Sequence, residues 1–255
     1  MRLLSAESLA IEVAGRTLCQ DLNIGLDSGQ RWGLIGANGI GKTMLLCHLA
    51  GLLPVANGEI RVYDIPVRAW QRKLLARELG MLFQDNFDVF PVTVMEAVLA
   101  GRYPYIPFWS LEGRDDLELA RSALADVGLQ GFERRQVDTL SGGERRRLAI
   151  ATLLLQSPRI WLLDEPGNHL DPHFQVNLLD LIFTRTAAVD GALLMVLHDV
   201  NLLSRYCTHA MLMLPGPAFL QGPVSDVITR ENLELLYRHP IREIASESQN
   251  YYFPY

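Results

Sequence analysis

Apolar residues along this chain recur with two spacings. Leu9 to Val13 and Leu22 to Leu26 read as two strands joined by a turn at Ala14-Gly15, and Arg31 to Ile35 as a short apolar strand running into a glycine-rich loop. Lys42 to Ala50 then reads as a helix that stops near Gly51 and Pro54. Glu59 to Tyr63 and Leu79 to Phe83 are further strands. From Thr93 to Leu129 the pattern turns helical, with Leu117, Ala120, Leu124 and Val127 near one face, and Gly142-Gly143 open another helix reaching about Leu155. Ile160 to Leu163 and Leu193 to Leu197 are continuous apolar runs of strand length, as expected of buried strands in a parallel sheet; Ala210 to Leu214 is a third candidate. Strands and helices alternate in both halves while the middle is mostly helical. The pattern predicts an α/β core with a helical lobe inserted at roughly 86–158.

Composition narrows the class. The chain has 255 residues, 49% of them hydrophobic, enough for one large domain or a domain plus a small lobe. A net charge of −6 argues against a broad nucleic-acid footprint. The basic residues are nearly all arginine, Lys42 and Lys73 being the only lysines, a bias read first as genome composition. Cys19, Cys47 and Cys207 are scattered without metal-ligand spacing and read as reduced thiols of a cytosolic protein. Met1 to Ala10 lacks the sustained apolar run of a signal peptide, and no stretch approaches the ~20 apolar residues of a membrane helix.

Two motifs carry chemistry on their own. Gly36-Ala37-Asn38-Gly39-Ile40-Gly41-Lys42-Thr43 fits the phosphate-loop pattern and lies between a predicted strand and a predicted helix. Glycines let the backbone turn its N–H groups toward a phosphate, and the helix start adds partial positive charge. Lys42 would reach the β- and γ-phosphates, and the Thr43 hydroxyl would ligate Mg²⁺. The run Ile160-Trp161-Leu162-Leu163-Asp164-Glu165-Pro166 ends an apolar strand in two carboxylates. Beside a phosphate loop, Asp164 is the candidate Mg²⁺ residue and Glu165 the candidate base that polarises an attacking water.

Leu140-Ser141-Gly142-Gly143-Glu144 resembles the signature of ATP-binding cassette (ABC) proteins, about a hundred residues after the phosphate loop and twenty before the acidic strand end. Physically it is a serine hydroxyl and glycine amides at a helix start, a second anion site. The resemblance covers nearly all of 1–240. It implies a P-loop NTPase (RecA-like) α/β core with an antiparallel β subdomain, the core in 1–85 and 159–240. A helical subdomain at 86–158 would carry the signature, leaving a tail at 241–255. It also implies that Gln84 senses Mg²⁺ and the attacking water, that Asp171 in Asn168-His169-Leu170-Asp171 crosses a dimer interface, and that His198 contacts the γ-phosphate and orients Glu165. The family implies ATP and Mg²⁺ as cofactors and a head-to-tail homodimer. Each nucleotide there meets the loop of one copy and Ser141, Gly142 and Gly143 of the other. Two departures stand out: Val13 occupies the place of an adenine-stacking aromatic, and Gly167 that of a common threonine.

Within the family the chain looks most like bacterial importer subunits for metal chelates (iron–siderophore, haem, cobalamin). Gly101-Arg102-Tyr103-Pro104-Tyr105, Gly167-Asn168-His169-Leu170-Asp171 and His198-Asp199-Val200-Asn201-Leu202 carry that likeness, with Ser204-Arg205-Tyr206-Cys207, Gln221-Gly222-Pro223 and Val227-Ile228-Thr229. The expected partners are two copies of a membrane permease, or one fused permease, and an extracytoplasmic substrate-binding protein, with no nucleic acid. The expected place is peripheral, on the cytoplasmic face of the inner membrane. Segment 85–105 would lie near the permease, with Phe87, Phe90, Tyr103, Tyr105, Phe108 and Trp109 as exposed apolar contacts. Another ABC importer or exporter, or a soluble non-transport ABC ATPase, is the alternative. The ~56 residues between Gln84 and Ser141 leave no room for a long coiled-coil insertion. The aromatic tail Tyr251 to Tyr255 has no role in this reading.

Overall fold

In a computed structural model, residues 1–13, 15–84, 91–107, 109–168, 170–245 and 250–255 are described. In chain order the elements are β1 (Arg2–Val13), β2 (Arg16–Asp27), β3 (Arg31–Gly36), α1 (Lys42–Leu49), β4 (Asn57–Val62), β5 (Ile65–Pro66), α2 (Arg72–Glu78), β6 (Leu79–Leu82), α3 (Val94–Leu99), α4 (Arg114–Asp126) and α5 (Gly142–Gln156). They continue with β7 (Ile160–Asp164), α6 (Pro172–Ala188), β8 (Ala192–Val196), α7 (Val200–Tyr206), β9 (His209–Met213), β10 (Phe219–Pro223), α8 (Val224–Val227), α9 (Arg230–Tyr237), β11 (Ile241–Ala245) and β12 (Asn250–Pro254).

The chain divides into two compact units. The first comprises Met1–Ala69, Leu162–Glu165 and Ala192–Tyr255. It holds an antiparallel sheet in the order β2-β1-β4-β5 and a mainly parallel one in which β10, β9, β3, β8 and β7 follow one another. β3 runs parallel to both β8 and β9 and is buried from Trp32 to Gly36. Every residue of β7 and β8 is buried, which is why both read as unbroken apolar runs. β1 is longer than its apolar alternation suggests. Ser8 has φ 45° and the pairing shifts register between Ala6 and Leu9, so a bulge breaks the period-two pattern partway along.

The second unit comprises Trp70–Trp161 and Pro166–Gly191 and holds α2, β6, α3, α4, α5 and α6. The stretch from Thr93 to Leu129, where the pattern turns helical, is divided between α3 and α4, where Pro104 and Pro107 remove helical donors. α6 starts at Asp171-Pro172: the Asp171 carboxylate accepts from Phe174 N at 2.9 Å, and proline stands in the first turn.

The aromatic tail contributes a strand to a two-stranded antiparallel sheet. β12 pairs with β11, Tyr252 is buried, and its hydroxyl donates to Ile228 O at 2.8 Å. The Asn201 side chain in α7 accepts from Tyr252 N at 2.9 Å and donates to Tyr252 O at 3.2 Å, anchoring the hairpin to that helix. No helix among the described residues is long and apolar enough to cross a membrane.

Candidate functional site

β3 ends at Gly36, where a β-carbon would approach Ile40 Cγ2 and Met213 Cβ to 3.0 Å. The loop then turns through Gly39 (φ 73°) and Gly41 (φ 111°), the second well outside what a side chain tolerates, and α1 starts at Lys42. No acidic residue sits in the first turn of α1, so its positive end is not neutralised from within the helix.

Lys42 is buried and folds back over its own loop. Its ammonium donates to Gly36 O at 2.9 Å and Ala37 O at 3.2 Å. Two of its three protons are thereby fixed, leaving one to aim elsewhere. Burial pushes the ammonium below its ordinary range, and the Glu165 and Asp164 carboxylates act in the opposite sense.

Thr43, the next residue, donates its hydroxyl to Asp164 Oδ2 at 2.5 Å. Asp164 ends β7 and is 1% exposed. Glu165 follows with φ 50°, a left-handed backbone that costs a non-glycine residue about 1–3 kcal/mol and turns the chain sharply as it leaves the sheet. Its Oε1 lies 2.5 Å from His198 Nε2, and His198 follows β8. An ionised Glu165 only accepts, so the proton in this contact belongs to the imidazole Nε2. The Glu165 side chain is 9% exposed and that of His198 52%, so one face of the pair is open. Asp199 holds the start of α7, accepting from Asn201 N at 2.7 Å and Leu202 N at 3.3 Å, and so fixes the chain immediately after His198.

The first unit therefore brings together the loop from Gly36 to Thr43 with Asp164, Glu165 and His198. The other sequence candidates lie in the second unit, on three separate segments. Gln84 is exposed just beyond β6. Ser141 caps α5: its hydroxyl accepts from Glu144 N at 3.3 Å, and the Glu144 carboxylate accepts from Ser141 N at 2.7 Å. That backbone N–H holds Glu144 below the usual carboxylate range. Gly142 opens onto free space where a β-carbon would be, and Gly143 follows it in the first turn. Asp171 caps α6. His169 and Ala14 lie outside the described residues; Val13 ends β1 opposite Arg16.

One sequence expectation is overturned. Tyr105 is half-buried, not exposed. Its hydroxyl donates to Gln156 O at 2.9 Å, and the guanidiniums of Arg102 and Arg77 stand 4.3 and 5.2 Å from its ring centre. Tyr103 and Trp109 are exposed; Phe87, Phe90 and Phe108 lie outside the described residues. Sequence reasoning also passed over Arg146, a buried cation in α5.

The sequence pattern of the family described as ABC transporter matches residues 19–168. The ferric enterobactin transport ATP-binding protein FepC of Escherichia coli (strain K12) is 33% identical, over 92% of this chain and 86% of its own length. The hemin import ATP-binding protein HmuV of Escherichia coli O157:H7 is 33% identical, over 92% of each. Among solved structures, a chain described as part of a metal-chelate type ABC transporter in an inward-facing conformation superposes with a TM-score of 0.85 at 25% identity, covering 100% of this chain and 98% of that one. With the loop, the acidic strand end and the histidine arranged as above, the chain belongs to the ABC transporter family, as one of its ATP-hydrolysing ATP-binding cassettes.

Proposed function

We propose that this cassette powers uptake of a metal chelate, an iron–siderophore, haem or cobalamin, through a membrane permease. The observation that carries this is the match, over about nine-tenths of the chain, to relatives named for ferric enterobactin transport, petrobactin import and hemin import. The cassette would sit peripherally on the cytoplasmic face of the inner membrane. It would work as a homodimer with two permease copies, or one fused permease, supplied by an extracytoplasmic substrate-binding protein. Exposed Tyr103, Trp109 and Leu111, between α3 and α4, support a permease contact in that part of the second unit.

Mg²⁺ fits the residues present. The Thr43 hydroxyl and Asp164 carboxylate are hard oxygen donors on one spot beside the loop. When bound with ATP the ion would neutralise phosphate charge; Thr43 and Asp164 would hold it, and the family resemblance gives Gln84 the role of sensing it.

The chain's own residues do the rest. Loop amides and Lys42 hold the β- and γ-phosphates. Glu165 accepts a proton from water as its oxygen bonds to the γ-phosphorus and the bond to the ADP oxygen breaks, giving ADP and phosphate. His198 donates to Glu165 and keeps its carboxylate aimed. Ser141, Gly142 and Gly143 of the second copy close on the γ-phosphate, and Asp171 lies at that interface. Release of phosphate removes the bridge between copies, so ATP favours the closed arrangement and ADP the open one.

A mild-detergent pull-down of the tagged protein from native membranes, with mass spectrometry, tests the transport reading. Recovery of a polytopic permease encoded beside a chelate-binding protein supports it. Recovery of an exporter, or of ribosomes or DNA-repair proteins, overturns it.

A further inference from the structure

Helix α5 carries Arg145-Arg146-Arg147 directly after the signature. Successive helical residues point about 100° apart, so the three side chains leave in different directions. Arg145 donates to Leu140 O at 3.2 Å and Asp138 O at 2.7 Å. Arg147 donates to Val127 O at 3.2 Å and Gly128 O at 3.1 Å, with its guanidinium over the Phe174 ring.

Arg146 is different in burial and in reach. It is only 4% exposed. Its Nη1 donates to Phe83 O and, at 3.3 Å, to Gln84 O, while its Nε donates to Pro166 O at 3.3 Å. Phe83 and Gln84 follow directly on β6, where the sheet ladder has ended. Pro166 is the residue after Glu165. One buried guanidinium thus joins the backbone that carries Gln84 to the backbone that leaves Glu165.

Burying a cation is costly unless its donors are met, so the side chain is not there as filler. A planar fork directs donors at two segments at once; an ammonium is a point charge, and an apolar residue holds neither. We propose that Arg146 is a positioning residue for ATP hydrolysis, fixing the Gln84 segment against Pro166 so that the Gln84 side chain projects from a set place. This rests on the role given to Gln84 above.

The test is a double-mutant cycle on the full chain: Arg146→Met and Arg146→Lys, each in the parent and in Gln84→Ala. Phosphate release gives kcat and KM, a fluorescent ATP analogue gives binding, and urea gives the unfolding midpoint. Arg146→Met should lower kcat about 10- to 100-fold with analogue binding kept. In Gln84→Ala it should change kcat less than about twofold, because the side chain it positions is gone. Arg146→Lys should be intermediate in the parent and without effect in Gln84→Ala. If Arg146→Met does not fold, the lysine pair carries the same comparison. Equal factors in the two backgrounds, or an unchanged kcat in a folded Arg146→Met, overturn the inference. If Gln84→Ala alone matches the parent, it is the role of Gln84 that has failed, and Arg146 as its positioning residue falls with it.

Discussion

Replacing Thr43 with Val isolates one contact of the site. Valine keeps the branched shape and removes only the hydroxyl that donates to Asp164 Oδ2 at 2.5 Å. The acceptor is 1% exposed, so water cannot readily stand in for the lost donor. A hydrogen bond to a charged group contributes about 1.5–3 kcal/mol. For a chain of this size each kcal/mol moves the thermal midpoint by about 2–4 °C. Thr43→Val should therefore unfold about 3–12 °C below the parent without nucleotide, while Thr43→Ser, which restores the donor, should stay close to it. Mg²⁺-dependent ATP hydrolysis should be largely lost in the valine variant and kept in the serine one. Differential scanning calorimetry and phosphate release check the two halves. Equal midpoints for valine and parent would show that the contact contributes nothing, and normal turnover in Thr43→Val would remove Thr43 from the proposed Mg²⁺ site.

Three further outcomes follow from the geometry. Gly58 has φ 86° and a β-carbon there would meet Glu7 O and Ser8 O at 2.5 Å, so Gly58→Ala should destabilise by about 2–4 kcal/mol in urea unfolding; a change under about 0.5 kcal/mol would refute that close approach. Tyr252→Phe removes the donor to Ile228 O and should cost about 1 kcal/mol, read as faster hydrogen exchange across β11 and β12; unchanged exchange would mean the hydroxyl does not hold the hairpin. The Asp116 carboxyl is held below its usual range by the Gly113 N–H and the Arg102 guanidinium. A depressed carboxyl stabilises the fold above its unfolded value of about 3.9 and loses that contribution as pH falls through the folded value. The stability gap between parent and Asp116→Asn should therefore close on acidification below about pH 4, and a gap that stays constant would contradict the pairing.

What the sequence disclosed and what it concealed divide along physical lines. The phosphate loop, the acidic strand end and the buried strands β7 and β8 are contiguous, and each imposes residue types that show in the chain: glycine where φ is positive, unbroken apolar runs where both faces are covered. β1 was half visible because the bulge at Ser8 breaks its alternation. Tyr105 is expected to be exposed because its segment would lie near the permease, whereas two arginines and Gln156 O enclose it, partners that only the fold brings there. Arg146 left no trace because the Phe83, Gln84 and Pro166 carbonyls it bonds are backbone groups, present at every residue, and only the fold brings them to it. The tail gave aromatic residues but not their partner: the Asn201 amide that receives Tyr252 lies about fifty residues away.

The central claim, that Glu165 is the base of an ATP site built on the Lys42 loop, is tested most directly by Glu165→Gln. Glutamine keeps the size of the side chain and removes its capacity to take a proton. Phosphate release and binding of a fluorescent ATP analogue would be measured on the same preparation. Turnover should fall by about 10²–10⁴, the usual contribution of a general base, with analogue binding retained. Turnover equal to that of the parent, with binding intact, would contradict the account.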